Sequence, residues 1–294
     1  MKKIALLVFM LGIALSMYSI SPYYMVSEHQ GDLASSELKV KEALNSNGFN
    51  IIGSYNTGGY NNYRVLVYTS DDLVKLCSGI EDRGILAAAL KIGIRDRDGE
   101  VQVTMINPEY LFYAYLRNAM EKEGVKSAAM KIDSQVKKAM RTVGDEMTPF
   151  GGDLSKKKLK EYKYMMGMPK FSDLVVLKEF ESHTQALNTI KRNLAAEKGN
   201  TKKVYELSSE NGSSAVFGVA LNDSEKGEAH FLSIIGKKHH AAMPYEIIVE
   251  GNTASILHGR FRFASHWPEL TMGTFTKIMS SPGDVEDFLK ALTD

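Results

Sequence analysis

Lys237, Lys238, His239 and His240 stand side by side between Gly236 and Ala241. All four side chains donate hydrogen bonds and a glycine lets the backbone turn its amides inward, so this segment predicts a loop able to hold an anion. A solvated basic loop is the plainer alternative. Adjacent histidines in a strand would point to opposite faces, so a shared metal needs irregular backbone there. A second group, His258, Arg260, Arg262 and His266, is evenly spaced and would share one face of an unbroken strand. Arg260 and Arg262 would then form a cationic strip for a carboxylate or phosphate. At about 3.3 Å per residue, His258 and His266 would lie roughly 26 Å apart, too far for one metal. A polar outer sheet face explains the same pattern.

Methionine is frequent, 15 in 294 residues, and Met165, Met166 and Met168 cluster around Gly167. Thioethers suit Cu(I). They also fill core gaps, and Tyr162, Tyr164 and Phe171 nearby favour packing. The single cysteine, Cys77, follows Leu73, Val74 and Leu76 and is expected to be buried; alone, it forms no internal disulfide. Glu109 and Glu269 each follow a proline, where an acidic side chain favours a helix start. The chain has no Gly-x-Ser-x-Gly elbow, His-Glu-x-x-His, Cys-x-x-Cys, phosphate-binding loop or dinucleotide fingerprint, so enzymes of those classes are disfavoured and no cofactor is expected.

Met1-Lys2-Lys3 followed by an uncharged stretch to Ser27 reads as a secretory signal, which places the protein in the periplasm or outside the cell. The alternative is an uncleaved inner-membrane anchor over residues 4–26, against which Pro22 stands. Of 36 basic residues, 34 remain without Lys2 and Lys3, against 35 acidic ones. No global field then attracts nucleic acid, and membrane contact is expected only through the N-terminal segment.

Positioning these groups calls for strands and helices in an order that recurs. Ser36 caps a helix with Val40, Ala43 and Leu44 on one face, and Gly48 ends it. Residues 49–54 and 64–68 read as strands, 71–77 as a short helix, and 90–95 with 101–105 as a hairpin around Arg97-Asp98-Gly99. Asn107 caps a helix with Pro108 at its first position, and a long helix follows over residues 116–143. In the second half, Ser182 and Gln185 open a helix that Gly199 ends. Residues 204–207, 215–221, 229–235, 245–249 and 256–263 read as strands, and Trp267-Pro268-Glu269-Leu270 opens the next helix. Ser281-Pro282 starts a terminal helix with Val285, Phe288, Leu289 and Leu292 on one face. Pro108-Glu109 aligns with Pro268-Glu269 and Gly48 with Gly199, which predicts a degenerate duplication over residues 38–116 and 184–279.

The first copy resembles the bacterial domain of unknown function 302 family. Val40-Lys41-Glu42-Ala43-Leu44 with Gly48-Phe49, Val65-Leu66-Val67, Ala89-Leu90-Lys91-Ile92 and Asn107-Pro108-Glu109-Tyr110-Leu111 carry the resemblance, over about 80 residues. It departs at Thr69-Ser70-Asp71, where many members have a proline-containing loop. The second copy looks like a divergent relative. The resemblance implies a small α+β fold and pairing as dimers, which a duplicated chain could hold as a pseudo-dimer within one molecule. It implies no activity, cofactor or catalytic set.

The expected architecture is α+β, with two related domains, each a small, mostly antiparallel sheet covered by helices. Residues 1–27 form a signal peptide or anchor, 30–147 the first domain, 148–181 a linker and 182–294 the second domain. The expected function is an exported envelope module binding a small anionic ligand or protein partner through Lys237, Lys238, His239, His240, Arg260 and Arg262. The alternatives are a hydrolytic or metal-assisted enzyme using His240, His258 or His266 with Glu246 or Glu269, and a copper-handling protein using Met165, Met166 and Met168.

Overall fold

Asp98 and Gly99 both take positive φ, 57° and 90°, the geometry of a two-residue turn whose twist matches that of its strands. That turn joins β5 (Leu90–Arg97) to β6 (Glu100–Ile106) at the centre of an antiparallel sheet. The computed structural model describes residues 19–294. Around this hairpin, β2 (Tyr23–Gln30), β3 (Asn50–Tyr55), β4 (Tyr63–Thr69) and β7 (Thr148–Phe150) complete six strands in the order β3-β4-β5-β6-β2-β7. A two-stranded ladder pairs β1 (Ser19–Ile20) with β8 (Leu154–Ser155).

Helix α1 (Leu33–Asn45) buries Val40, Ala43 and Leu44 and is followed by Gly48 at φ +80°, as the sequence predicts. It starts earlier than predicted, because Asp32 rather than Ser36 accepts the capping hydrogen bond, from the Ser35 amide at 2.9 Å. Helix α2 (Asp71–Ser78) buries Cys77, and α3 (Pro108–Tyr115) begins at the Asn107 cap with Pro108 in its first turn. The long helix predicted for residues 116–143 is divided: a 3-10 turn, Arg117–Glu121, precedes α4 (Glu123–Met140).

The second sheet has the order β10-β11-β12-β13-β9, from β9 (Leu174–Glu179), β10 (Thr201–Ser208), β11 (Ser214–Leu221), β12 (Tyr245–Glu250) and β13 (Thr253–Leu257). Its strand order repeats that of the first five strands of the other sheet. Between them run α6 (His183–Ala195) and α7 (Glu228–Ile235); α5 (Lys156–Lys160) precedes them, and α8 (Gly259–His266), α9 (Met272–Phe275) and α10 (Ser281–Ala291) follow β13. The segment predicted as linker supplies β7 to one sheet and β9 to the other.

Several predicted elements are corrected. Residues 229–235 are helical, and the buried positions Glu228, Phe231, Leu232 and Ile235 fall at helical spacing. The strand predicted for 256–263 stops at Leu257, and His258 caps α8, its Nδ1 accepting from the Arg260 amide at 3.2 Å. The arginine-phenylalanine alternation imitates a strand because Arg262 is buried like its apolar neighbours. Trp267-Pro268-Glu269-Leu270 opens no helix; it is a turn following α8. The helices that follow β6 and β13 are capped by Asn107 and His258, so Pro268 does not occupy the place of Pro108.

The N-terminal boundary also moves. Tyr23 and Val26 are wholly buried in β2, which lies between β6 and β7, so residues 19–27 belong to the fold rather than to a signal or span ending at 26 or 27. The rest of the predicted signal or anchor, residues 1–18, lies outside the described residues. Among the described residues, no helix is long and apolar enough to cross a membrane.

Edge strands β3 and β10 meet where each is bulged, and a Cβ at Gly53 would stand 2.5 Å from the Val204 carbonyl oxygen. Backbone cannot yield there as a side chain can. Gly53→Ala is expected to destabilise the protein by about 1–3 kcal/mol, measured by urea unfolding; an unchanged midpoint would contradict this close approach.

Candidate functional site

Lys91, the second residue of β5, forms an ion pair with Glu246, the second residue of β12, and so links the two sheets. Arg262 on α8 approaches the other carboxylate oxygen, Nε to Oε2 at 3.3 Å, and donates from Nη2 to the Ala242 and Pro244 carbonyls. All three residues are buried. Burial opposes ionisation of Glu246, but Lys91 and Arg262 outweigh it and hold the carboxyl below its usual range. Tyr110 donates to the Ser265 carbonyl at 2.7 Å and Tyr23 to the His266 carbonyl at 3.0 Å, extending this junction along α8.

The histidines predicted as ligands are placed apart. His240 is wholly buried on a 3-10 turn, Lys237–Ala242, where Nδ1 lies 2.9 Å from the Lys237 carbonyl and its ring meets Tyr63 edge-on at 5.2 Å. Burial lowers its pKa to about 4, leaving it neutral. Gly93 of β5 makes room for it, since a Cβ there would lie 2.6 Å from His240 Nε2. His239 is buried among Tyr23, Phe150 and Trp267, with Nε2 3.0 Å from Glu269 Oε1. His266 is buried with Nδ1 3.2 Å from the Arg262 carbonyl, and burial and then the Arg262 charge lower its pKa.

The loop and strip expected to hold an anion are therefore not assembled. His239, His240 and Arg262 are enclosed, while Lys237 lies over Tyr60 at 4.2 Å and Lys238 over Phe150 at 4.8 Å. His258 is taken up as a cap. His240, His258 and His266 meet no carboxylate at a common point, and among the described residues no group of three or more histidine, cysteine or acidic side chains could hold a metal.

Arg260, exposed at the start of α8, stands apart from the strip and on the rim of a cleft of about 210 Å³. Tyr164, Met165 and Met168 form one wall, Ala264 and Leu270 lie along α8 and the turn after it, and Met272, Phe275 and Met279 close the other side. Tyr164 donates to the Leu270 carbonyl at 3.2 Å, which ties the two walls together. Met166 is 91% exposed and lies outside the cleft, so two of the three expected methionines converge. Met272 and Met279, which join them, escaped the sequence reading; their seven-residue spacing, one helical face, was the available signal.

A second buried carboxylate also escaped it. Glu228, at the start of α7, accepts from the Tyr55 hydroxyl and the Gly58 amide, each at 3.0 Å, and so joins the second half to the first. Burial raises its pKa to about 7, above the stabilising effect of those donors on the charged form.

No protein-family model and no curated protein matches this chain. Among solved structures, an uncharacterised conserved DUF302 protein from Bacillus stearothermophilus is similar over 98% of its own length and 43% of this chain, at 11% identity and a TM-score of 0.34. So slight a superposition does not assign the chain to that family.

Glu246→Gln strands Lys91 beside Arg262 without a counter-charge and is expected to cost about 3–5 kcal/mol in denaturant unfolding. Glu228 acts in the opposite sense with pH. Its folded pKa, about 7, exceeds the ordinary 4.5, so its contribution is present below 4.5 and is lost as pH rises through 7. Relative to wild type, Glu228→Gln should remove about 3 kcal/mol of pH-dependent stability across that window, read from unfolding curves at several pH values.

Proposed function

We propose that this protein is an exported envelope binding module that takes a slender apolar chain with an acidic head, such as a fatty acid, in the methionine-lined cleft. The observation that carries this reading is the convergence of Met165, Met168, Met272 and Met279 on one cleft with Arg260 at its rim. Methionine is flexible and polarisable, so such a lining adapts to a chain of variable conformation. The cleft is smaller than the roughly 300–1,000 Å³ of sites that enclose drug-sized ligands, which favours a chain segment over a bulky ring system. Arg260 supplies a charge-assisted partner for the head.

The repeated strand order, the matching positions of Lys91 and Glu246 and the matching caps Asn107 and His258 support two related domains held as a pseudo-dimer. The first half has Tyr110 and Leu111 where α8 has Phe261 and Arg262, so the buried arginine of the junction has no counterpart in the first half. Export rests on the uncharged N-terminal stretch after Lys2 and Lys3. A copper reading keeps one supporting observation, the four thioethers at one place.

Displacement of a fluorescent fatty acid tests the site. The expected result is saturable binding that Met272→Asp abolishes and Arg260→Gln weakens about tenfold. Absence of binding, or binding indifferent to both variants, overturns the reading. Retention of one equivalent of Cu(I) by wild type, lost on replacing Met165 and Met168, would put the metal in place of the acyl chain.

A further inference from the structure

Ser19 and Ile20 pair with Ser155 and Leu154, so the chain joins the fold directly beside Ser155, the residue that caps α5. Residues 4–18, immediately before it, carry no charge. Ser155 shares one shallow depression with Lys157, Lys158 and Lys163, and Lys163 shares the adjoining one with Lys160, Lys170 and Arg117. Among the described residues, Lys156 is paired with Glu109 and Lys160 with Glu121, whereas no ion pair engages Lys157, Lys158, Lys163 or Lys170. The acidic groups around this cluster are Glu161, Glu121 on Lys160, Asp82 on Arg117 and Asp173, which accepts from the Lys170 amide. Between Lys163 and Lys170 the chain turns outward, leaving Met165 45% and Met166 91% exposed.

From this arrangement we infer that the face formed by Lys157, Lys158, Lys163, Lys170 and Met166 is a seat for an anionic phospholipid bilayer. An apolar tip flanked by lysines matches the interface: the thioether enters the headgroup boundary while long lysine stems carry their charges to the phosphates. The unpaired lysines supply local charge complementarity that the chain's net charge of +1 conceals. Ser19, where the described chain begins, pairs with Ser155 at the edge of this face. The inference stands independently of the ligand in the cleft.

The test uses the full chain with Met166→Cys, labelled by an environment-sensitive thiol fluorophore; Cys77 is buried, with burial holding its thiol well above the usual pKa, and does not compete. Vesicles are phosphatidylcholine alone or phosphatidylglycerol. The uncharged N-terminal stretch can partition into both, whereas the probe reports this face. The expected result is a blue shift and at least tenfold tighter binding on phosphatidylglycerol, lost at high salt. Replacing Lys157, Lys158, Lys163 and Lys170 with Gln, at unchanged melting temperature, should also remove it, since each lysine contributes on the order of fivefold. Equal responses on both vesicles, or an anionic preference surviving the four substitutions, overturns the inference. So does abolition of the response by millimolar inorganic phosphate at constant ionic strength, which would make the face a site for a soluble anion.

Discussion

The junction of Lys91, Glu246 and Arg262 is the constraint around which the two halves are arranged. Each half supplies charge at the same place in its own sheet, and the carboxylate of one is neutralised by the lysine of the other. Neither group could be buried alone without a large desolvation penalty, so the two sheets are compatible with their own interiors only when they are together. Arg262 adds a second cation and fastens α8 to the backbone leading into β12, which fixes the helix that presents Arg260 to the cleft. The same helix offers its Ala264, Ser265 and His266 carbonyls to Tyr162, Tyr110 and Tyr23, so its position is set by contacts from both halves.

These contacts explain why the residues with the most suggestive chemistry are not where the chemistry is proposed. Histidines and arginines near one another in a sequence invite a ligand, yet His240 fills the space opposite Gly93 and His239 sits in an aromatic box. One nitrogen of each histidine is taken up by a carbonyl, a carboxylate or a helix cap, while His239 Nδ1, His240 Nε2, His266 Nε2 and Arg262 Nη1 are buried without a hydrogen-bond partner. The accessible cleft is lined instead by a residue type that the sequence presents as core filler.

The first half was legible because its signals were local: the Asp98-Gly99 turn, the Asn107-Pro108 helix start and the Gly48 terminus each require one conformation. The second half misled where tertiary burial overrode alternation. Arg262 in a helix and Arg262 on a strand give the same letters, and only Glu246, sixteen residues earlier, distinguishes them. Likewise, Met272 and Met279 gain meaning only when the segment bearing Met165 and Met168 folds across them, which no local pattern records. The strand Tyr23–Gln30 was hidden by the apolar residues preceding it, since a buried strand and the end of a signal sequence share a composition.

That strand sets an order of events. Tyr23–Gln30 pairs with Glu100–Ile106 on one side and Thr148–Phe150 on the other, so the first strand of this sheet in chain order waits for partners synthesised far downstream. Until they arrive, its unpaired backbone and buried side chains have no sheet to join, and such distant pairing is slow. Closure of the first sheet is thus deferred until about half the chain has been made, and throughout that interval Tyr23–Gln30 has no sheet to join.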